Sequence, residues 1–196
     1  MQILSPFREK GEAASEQLNR AIRERVNPFR SVEEEVKIGS RTFRVHDRVM
    51  QTKNTEKVSN GDLGFITGIT TGGKGERLVQ MDFGGDRKLT YTPEQLAHVD
   101  LAYATTIHKA MGSEFETVII PIVKAHTIML YRNLLYTAVT RAKKKVILVG
   151  HKPILFMAVH RADISKRNTM LGERIRLYCK AYHTERNALP ELQQAG

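Results

Sequence analysis

Residues 104–116, ATTIHKAMGSEFE, combine small polar side chains with basic ones in a pattern suited to holding phosphates. The hydroxyls of Thr105 and Thr106 and the ring of His108 can donate hydrogen bonds to phosphate oxygens. Such contacts hold a nucleic-acid strand without reading its sequence. The alternative is structural, with His108 and Lys109 beginning a helix. The segment therefore predicts either a strand-binding loop or an ordinary turn.

The end of the same segment has features of a nucleotide contact. Gly112 has no side chain, so a ligand can approach its backbone closely. Ser113 separates it from Glu114, whose carboxylate can accept hydrogen bonds from a ribose hydroxyl. The alternative is that Gly112 only closes a turn.

Two arginines lie beside predicted buried strands. Arg141, in residues 134–145 (LLYTAVTRAKKK), ends a predicted helix, and its planar fork of donors fits a pair of phosphate oxygens. Arg8, in residues 5–11 (SPFREKG), follows a short apolar strand. Ligands of open parallel sheets bind beyond the carboxyl ends of the strands, so Arg8 is placed where it can meet one. A plain surface arginine is the alternative for Arg8, and a solvated basic turn is the better explanation of Lys143–Lys145.

Strands and helices alternate at both ends of the chain. Apolar runs predict buried strands over residues 2–6, 118–122 and 146–149, with a further strand over residues 101–105. Helices are predicted over residues 12–25, 133–140, 153–159 and 169–182. This alternation predicts an α/β fold in which crossover helices flank a parallel sheet.

The middle of the chain is typical of a small β-barrel. Turn-forming pairs separate short β segments, at Gly39-Ser40, Asn60-Gly61, Gly72-Gly73 and Gly84-Gly85. The strands are predicted over residues 36–38, 42–45, 48–52, 63–69, 78–83 and 88–91. We therefore predict one α/β domain, residues 1–28 and 96–196, interrupted by a β-barrel insertion over residues 29–95.

The bulk composition fits a globular protein with a polyanionic partner. The chain has 31 Lys and Arg against 21 Asp and Glu, a net charge of +10, and neutralising phosphates releases their counterions. A merely positive surface is the alternative. The single cysteine excludes an internal disulfide and a cysteine-rich zinc site, so we predict no metal ligands and a reducing, cytoplasmic location. No apolar run approaches the ~20 residues of a membrane span, so we expect no membrane partner.

These motifs together resemble superfamily 1 helicases of the RecD-like and UvrD-like type. Residues 104–114 resemble motif V, T-x-H-K-x-x-G-S-E, residues 135–142 resemble motif VI, Y-T-A-x-T-R-A, and residues 5–11 resemble motif IV, S-P-x-R. The Asn60–Gly64 turn resembles the SH3-like barrel inserted in the second RecA-like domain of RecD-like enzymes. The chain is therefore identified as a C-terminal RecA-like domain with its SH3-like insertion, of the exodeoxyribonuclease V α-subunit type.

The resemblance implies roles for the singled-out residues. Arg8 would be the motif IV arginine that contacts the γ-phosphate, and Arg141 the arginine finger that stabilises the transition state. We expect both guanidinium groups to converge on one edge of the sheet. Six further residues would bind ligands, the ribose side through Gly112, Ser113 and Glu114, and single-stranded DNA through Thr105, Thr106 and His108.

The phosphate-holding half of such a motor is missing from the sequence. A P-loop requires G-x-x-x-x-G-K-[ST], whereas Gly72–Gly75 has a glycine after its lysine and lies in a predicted hairpin turn. We find no acidic magnesium motif either. Because Met1 comes directly before motif IV, we expect a fragment or one part of a split protein. ATP and Mg²⁺ would be bound mainly by an N-terminal P-loop domain, and this chain alone would neither hydrolyse ATP nor unwind a duplex.

The implied activity is that of an ATP-dependent helicase or translocase moving 5′ to 3′ on single-stranded DNA. The expected partners are the single strand and the N-terminal P-loop RecA-like domain. The alternative is a non-enzymatic module, derived from a helicase, that binds nucleic acid or protein. An added P-loop domain that restores ATP hydrolysis would distinguish the two.

Overall fold

Parallel and antiparallel strands form separate sheets in the computed structural model, which describes residues 1–161 and 171–187. The strands are β1 (Gln2–Ser5), β2 (Glu35–Ile38), β3 (Arg41–Arg44), β4 (Arg48–Gln51), β5 (Leu63–Thr71), β6 (Arg77–Asp82), β7 (Lys88–Tyr91), β8 (Val99–Leu101), β9 (Ala104–Thr106), β10 (Phe115–Ile122) and β11 (Ala142–Gly150). The α-helices are α1 (Ser15–Val26), α2 (Arg132–Val139), α3 (Lys152–His160) and α4 (Leu171–Asn187). Short 3₁₀ turns lie at Gln95–His98 and Lys124–His126.

Four of the described strands form a parallel sheet in the order β11-β10-β1-β9. Its core combines Leu4 of β1 with Val118 and Ile120 of β10, all without exposed surface, and Leu134 of α2 packs against them. Continuous apolar strands are buried in this way because helices cover parallel sheets. The predicted α/β fold is confirmed.

The inserted strands β2 to β8, here called the barrel, are antiparallel and have a core of their own. Within the described ranges five of them are ordered β7-β6-β5-β4-β8, and β2 pairs with β3 as a hairpin. Gly64 has to be glycine, because a Cβ there would lie 2.8 Å from the carbonyl oxygen of Asp82. Gly72 and Gly73 form the turn between β5 and β6, as expected for a hairpin and not for a P-loop.

The strand predicted over residues 101–105 is split between the two sheets. Val99–Leu101 pairs with β4 of the barrel, whereas Ala104–Thr106 pairs with β1 of the parallel sheet. Ala102 lies at the change: its N–H donates to Arg48 and its carbonyl accepts from the Gln2 side chain. The antiparallel sheet therefore continues beyond residue 95, the predicted end of the insertion.

Helix α1 buries a polar stripe. Ala14, Leu18, Ala21 and Ile22 recur at helical spacing in the sequence, but the buried residues within the helix are Ser15, Asn19 and Arg23. Four-residue spacing puts these three side chains on one face. Asn19 and Arg23 form hydrogen bonds to strands, and Ser15 donates to the carbonyl oxygen of Arg8. These bonds replace the apolar contacts that a core-facing helix normally makes.

The chain divides into two compact units, residues 1–162 and 163–196. All of the described strands lie in the first unit, and α4 lies in the second. The predicted helix over residues 169–182 is confirmed from Leu171 onward, and residues 169 and 170 lie outside the described part of the chain. Over residues 1–161 and 171–187, no helix has both the length and the apolar character needed to cross a membrane.

A buried histidine lies beyond the carboxyl end of β10. His126 has no exposed surface, its Nδ1 lies 3.4 Å from the carbonyl oxygen of Pro121, and its ring centroid lies 5.7 Å from that of Phe7. Its Nε2 has no hydrogen-bond partner within the described residues. Burial lowers the pKa of His126 below its ordinary value of 6.5, so the folded protein keeps the ring neutral.

We therefore expect the wild-type chain to lose stability below pH 6.5, since the unfolded chain gains a proton that the folded chain rejects. The free energy of unfolding falls by at most about 1.4 kcal/mol per pH unit from this residue. Urea unfolding of wild type and His126→Leu at several pH values measures it. The difference between the two should shrink or reverse as the pH falls, and a constant difference would contradict the expectation.

Candidate nucleotide and nucleic-acid interfaces

Arg8 and Arg141 lie at opposite ends of the parallel sheet. Arg8 follows the carboxyl end of β1, whereas Arg141 immediately precedes β11. Because β1, β10 and β11 are parallel, the register separates Ser5 from Ala142 by roughly 20 Å along the strands. The expected convergence of the two guanidinium groups on one edge is therefore wrong. Spacing in the sequence did not reveal which end of a strand each arginine adjoins.

The amino-terminal edge of the sheet holds Arg141 beside the end of the motif V segment. Phe115 pairs with Ala142 at the start of β10 and β11, which brings the residues before each strand together. Arg141 Nη1 lies 3.4 Å from the carbonyl oxygen of Ser113, and Nη2 lies 3.4 Å from the Thr140 hydroxyl. Its Nε is buried and has no partner within the described residues. The guanidinium group thus retains donor capacity.

Glu114 and Gly112 lie at the same edge. Glu114 forms an ion pair of 3.3 Å with Lys143. The side chain of Glu114 is exposed, so its carboxylate also remains open to solvent. Gly112 has φ of 88°, and a Cβ there would meet no atom within 4 Å. Glycine is therefore required by the left-handed backbone, and its outer side is open space. Predicted contacts Gly112, Ser113, Glu114 and Arg141 are brought together.

The barrel and the parallel sheet enclose a groove of about 500 Å³. It runs along α1 and is bounded by β3, β8 and β9. Cations predominate among its charged lining residues, Arg8, Arg20, Arg23, Arg41 and Lys109 against Glu9, Glu16 and Asp100. A strip of guanidinium and ammonium groups is suited to a phosphate backbone.

Arg8 belongs to this groove and not to the edge with Arg141. Its Nε donates to Glu16 at 2.8 Å, and Glu9 lies 3.9 Å away. The hydrogen bond to Glu16 is the main cause that raises the pKa of Arg8. The side chain remains 48% exposed, so a phosphate can reach it.

The three predicted strand contacts differ in accessibility. Thr106 is partly exposed and lines the groove. Thr105 also lines it but is only 5% exposed, which leaves little of its surface for a ligand. His108 is exposed but lies outside the groove lining. The predicted strand contact is therefore best supported for Thr106.

Ion pairs hold the cations of the groove in place. Asp100 lies 2.7 Å from Lys109 Nζ and 3.3 Å from Arg41 Nη1. Arg20 is exposed and has no ion pair among the described residues. Exposed pairs of this kind contribute at most ~1 kcal/mol each. They orient the side chains and are weak enough to yield to a phosphate.

Several groove residues were missed from the sequence, chiefly Asn19, Arg20, Arg41 and Asp100. The S-x-x-x-N-x-x-x-R spacing of Ser15, Asn19 and Arg23 was an available signal for a buried polar helix face. Asp100 carried no local signal, because the pairing of β4 with β8 determines where it lies. Arg41 carried none either, because it lies in the β2–β3 hairpin and reaches the carbonyl oxygens of Ala97 and Val99, far along the chain.

Two protein-family descriptions match the chain. The UvrD-like helicase C-terminal domain matches residues 101–149, which contain the whole of the motif V and motif VI segments. The SH3 domain of ATP-dependent RecD-like DNA helicases matches residues 18–83. The parallel sheet and its edge residues thus define a UvrD-like helicase C-terminal domain. With its SH3 insertion, the chain belongs to the RecD-like helicases.

Curated relatives agree with this assignment. The chain is 37% identical over 180 residues to the ATP-dependent RecD2 DNA helicase of Deinococcus radiodurans, covering 91% of this chain and 24% of that protein. It is 36% identical over 108 residues to the RecBCD enzyme subunit RecD of Mycobacterium tuberculosis, covering 55% of this chain and 18% of that protein. The chain thus spans a quarter or less of the length of these relatives.

Solved structures show the same fold. The Pif1 helicase from Candida albicans has a TM-score of 0.51 at 15% identity, covering 79% of this chain and 48% of that chain. A Pif1 helicase from Bacteroides has a TM-score of 0.50 at 19% identity, covering 91% of this chain and 45% of that chain. At these identities the likeness concerns the fold.

Proposed function

We propose that this chain is the C-terminal motor domain of an ATP-dependent DNA helicase or translocase, moving 5′ to 3′ on a single strand. A P-loop domain of the same protein would bind ATP and Mg²⁺. The observation that carries the proposal is the separation of two ligand-suited edges on one sheet. One edge offers an arginine with spare donors, and the other offers a cationic groove.

The nucleotide side of the proposal rests on Arg141 and its neighbours. An arginine with unused donors fits the charge of a transferring phosphoryl group. Glu114, exposed beside it, can accept from ribose hydroxyls. The residues present therefore fit a triphosphate supplied by a neighbouring domain. ATP itself would supply the transferable phosphoryl group, and the chain would contribute charge stabilisation and orientation.

The strand side of the proposal rests on the groove. Arg8, Arg20 and Lys109 would contact phosphates, with Thr106 as a neutral donor. The proposed ligand of Arg8 is therefore the DNA strand, and no longer the γ-phosphate of ATP. The Pif1 structure from Bacteroides holds ADP-AlF3 and single-stranded DNA, and we propose the same two classes of ligand for this protein.

The two edges are joined by one short segment. Residues 107–114 run from the carboxyl end of β9 to the start of β10. Thr106 lines the groove at one end, and Ser113 receives the Arg141 guanidinium group at the other. A shift of this segment on nucleotide binding would therefore move groove residues. Such a coupling is what a translocase requires.

We expect Arg20→Ala to weaken binding of the chain to a fluorescent oligothymidine, since a phosphate contact is lost. In plots of log K against log salt concentration, the magnitude of the slope should decrease by about 0.7, which is the contribution of one single-strand phosphate. Arg25→Ala is the matched control, because Arg25 is exposed on the same helix but outside the groove. Fluorescence anisotropy measures both.

Glu16→Gln should have the opposite sign. It removes a carboxylate that repels phosphate and releases the Arg8 guanidinium group, so the affinity should rise. Equal slopes for Arg20→Ala and Arg25→Ala, or a flat salt response of the wild type, would contradict the groove as the strand site. A non-enzymatic module would be supported if strand binding persisted but an added P-loop domain restored no ATP hydrolysis.

A further inference from the structure

A carboxylate without exposed surface lies in the turn between β3 and β4. Asp47 Oδ1 accepts hydrogen bonds from Asn27 Nδ2 at 2.9 Å and from the Tyr103 hydroxyl at 3.0 Å. Asp47 Oδ2 accepts from the backbone N–H of Arg44 at 2.8 Å, and Arg23 Nη1 lies 3.9 Å away. Three strong donors and a nearby cation thus meet at one side chain.

These partners belong to, or lie next to, different elements that bound the groove. Asn27 caps the carboxyl end of α1, Tyr103 lies between β8 and β9, and Arg44 ends β3. The chain leaves the parallel-sheet domain after α1 and returns through Tyr103, so both crossings are bound to Asp47. Arg23 adds a further bond from α1 to the carbonyl oxygen of Thr42 in β3, at 2.5 Å.

We propose that Asp47 is a positioning residue that fixes the barrel against the parallel sheet and thereby sets the width of the groove. This inference rests on the proposed function, in which the groove binds the DNA strand. Asp47 would not touch DNA, since it has no exposed surface. It would act through the walls that carry Arg20, Arg41 and Lys109.

The physical reason is the unfavourable energy of an unpaired buried charge. Rotation of the barrel about the two crossings would remove the Asn27 or the Tyr103 hydrogen bond from Asp47. A carboxylate that stays buried without its donors is strongly destabilised. One orientation of the barrel against the parallel sheet is therefore favoured over slightly rotated ones. Apolar contacts alone would allow gradual sliding, because the hydrophobic effect has no direction.

The experiment measures the distance between barrel and sheet with paired spin labels. Cys179 is exposed and is replaced by serine, and labels are attached through Asp86→Cys in the barrel and Lys145→Cys in β11, both exposed positions. With Asp47 present, we expect one narrow distance distribution. In Asp47→Asn, one orientation of the new side chain points its NH2 group at the Arg44 N–H, and the other orientation loses the hydrogen bonds from Asn27 and Tyr103. Because bonds are lost in both orientations, the distance distribution should broaden.

Strand binding is measured on the same variants. Asp47→Asn should lower the magnitude of the salt slope for oligothymidine by about 0.7 or more, because at least one phosphate contact is misaligned. Tyr103→Phe removes a single donor and should give a smaller broadening. It also keeps the proposal testable if Asp47→Asn does not fold.

Tyr91→Phe is the matched control. It removes the 2.9 Å hydrogen bond between Tyr91 and Gln51 inside the barrel, so it weakens the barrel without touching the junction. Its distance distribution and salt slope should equal those of the wild type. A narrow distribution in both junction variants, or a broad one with unchanged binding, would overturn the proposal. Failure of the groove itself would appear separately, as an unchanged slope in Arg20→Ala.

Discussion

Arg141→Ala is expected to lower DNA-stimulated ATP hydrolysis by about 10³-fold in a protein that joins this chain to a P-loop domain, as the proposed function requires. Nucleotide binding should change little, because a P-loop provides most contacts to the ground-state phosphates. The arginine would act on charge that develops during phosphoryl transfer, so kcat should fall far more than KM rises. Steady-state ATPase assays and equilibrium binding of a fluorescent nucleotide measure the two effects.

The structure provides the reason for expecting so large an effect from one side chain. Among the described residues the side chain of Arg141 makes two hydrogen bonds, both of 3.4 Å, and its Nε has no partner. Arg23 and Arg77 also have a buried Nε without a partner in the described part of the chain, but their guanidinium groups donate hydrogen bonds of 2.5 Å, to Thr42 and Glu33. The long contacts of Arg141 distinguish it from these two structural arginines. The segment at Ser113 holds the guanidinium group at the sheet edge but does not saturate it.

Two further variants test whether the planar guanidinium group of Arg141 is needed, or only a positive charge near it. Arg141→Lys keeps the positive charge but loses the planar fork, so it should recover only a small part of the lost rate. Lys145→Ala removes an exposed basic residue from β11, the strand that follows Arg141, and should behave as wild type. Wild-type turnover in Arg141→Ala would remove Arg141 from the mechanism and leave the non-enzymatic module as the better hypothesis.

Local patterns were sufficient to predict most of the elements. Apolar runs identified β10 and β11, and turn-forming pairs separated the strands of the barrel, since both signals act within a few residues. The motif resemblance also singled out Ser113 and Arg141, which the structure brings together at one edge of the sheet, although their ligand roles stay predictions. These predictions depend on residues that are close in sequence, or on strands whose pairing the alternation of strands and helices restricts.

Two of the errors involve long-range pairing. Arg8 and Arg141 were expected at one edge, but parallel pairing of β1 with β10 puts them at opposite ends of the sheet. The sequence predicts a continuous strand over residues 101–105, yet Ala102 divides it, because its N–H donates to the Arg48 carbonyl oxygen and its carbonyl oxygen accepts from the Gln2 side chain. No local pattern specifies such partners, because they come from distant parts of the chain.

The buried polar face of α1 leads to the largest stability effect that we expect. In the described chain β9 is an edge strand, and its outer backbone groups need partners. Asn19 supplies them: its Oδ1 accepts from the N–H of Ala104 at 2.7 Å, and its Nδ2 donates to the carbonyl oxygen of Ala104 at 2.9 Å. A second carbonyl, that of Leu101, lies 3.1 Å from the same nitrogen. The side chain thus replaces a neighbouring strand.

Asn19→Ala should therefore lower the free energy of unfolding by about 3 kcal/mol, since a buried N–H and buried carbonyl groups lose their partners at about 1 to 3 kcal/mol each. The better helix propensity of alanine offsets less than about 1 kcal/mol of this loss. Urea unfolding of the chain measures the change as a lower midpoint with an unchanged slope.

Gln17→Ala is the matched control, because Gln17 has the same amide group but is exposed on the same helix. It should change the free energy of unfolding by no more than about 0.5 kcal/mol. Asn19→Asp would still accept from Ala104 but would turn a carboxylate toward two carbonyl oxygens, so it should be at least as unstable as Asn19→Ala near neutral pH. If Asn19→Ala and Gln17→Ala were equally stable, water would have to reach the edge of β9, and Asn19 would no longer explain how this strand ends the sheet.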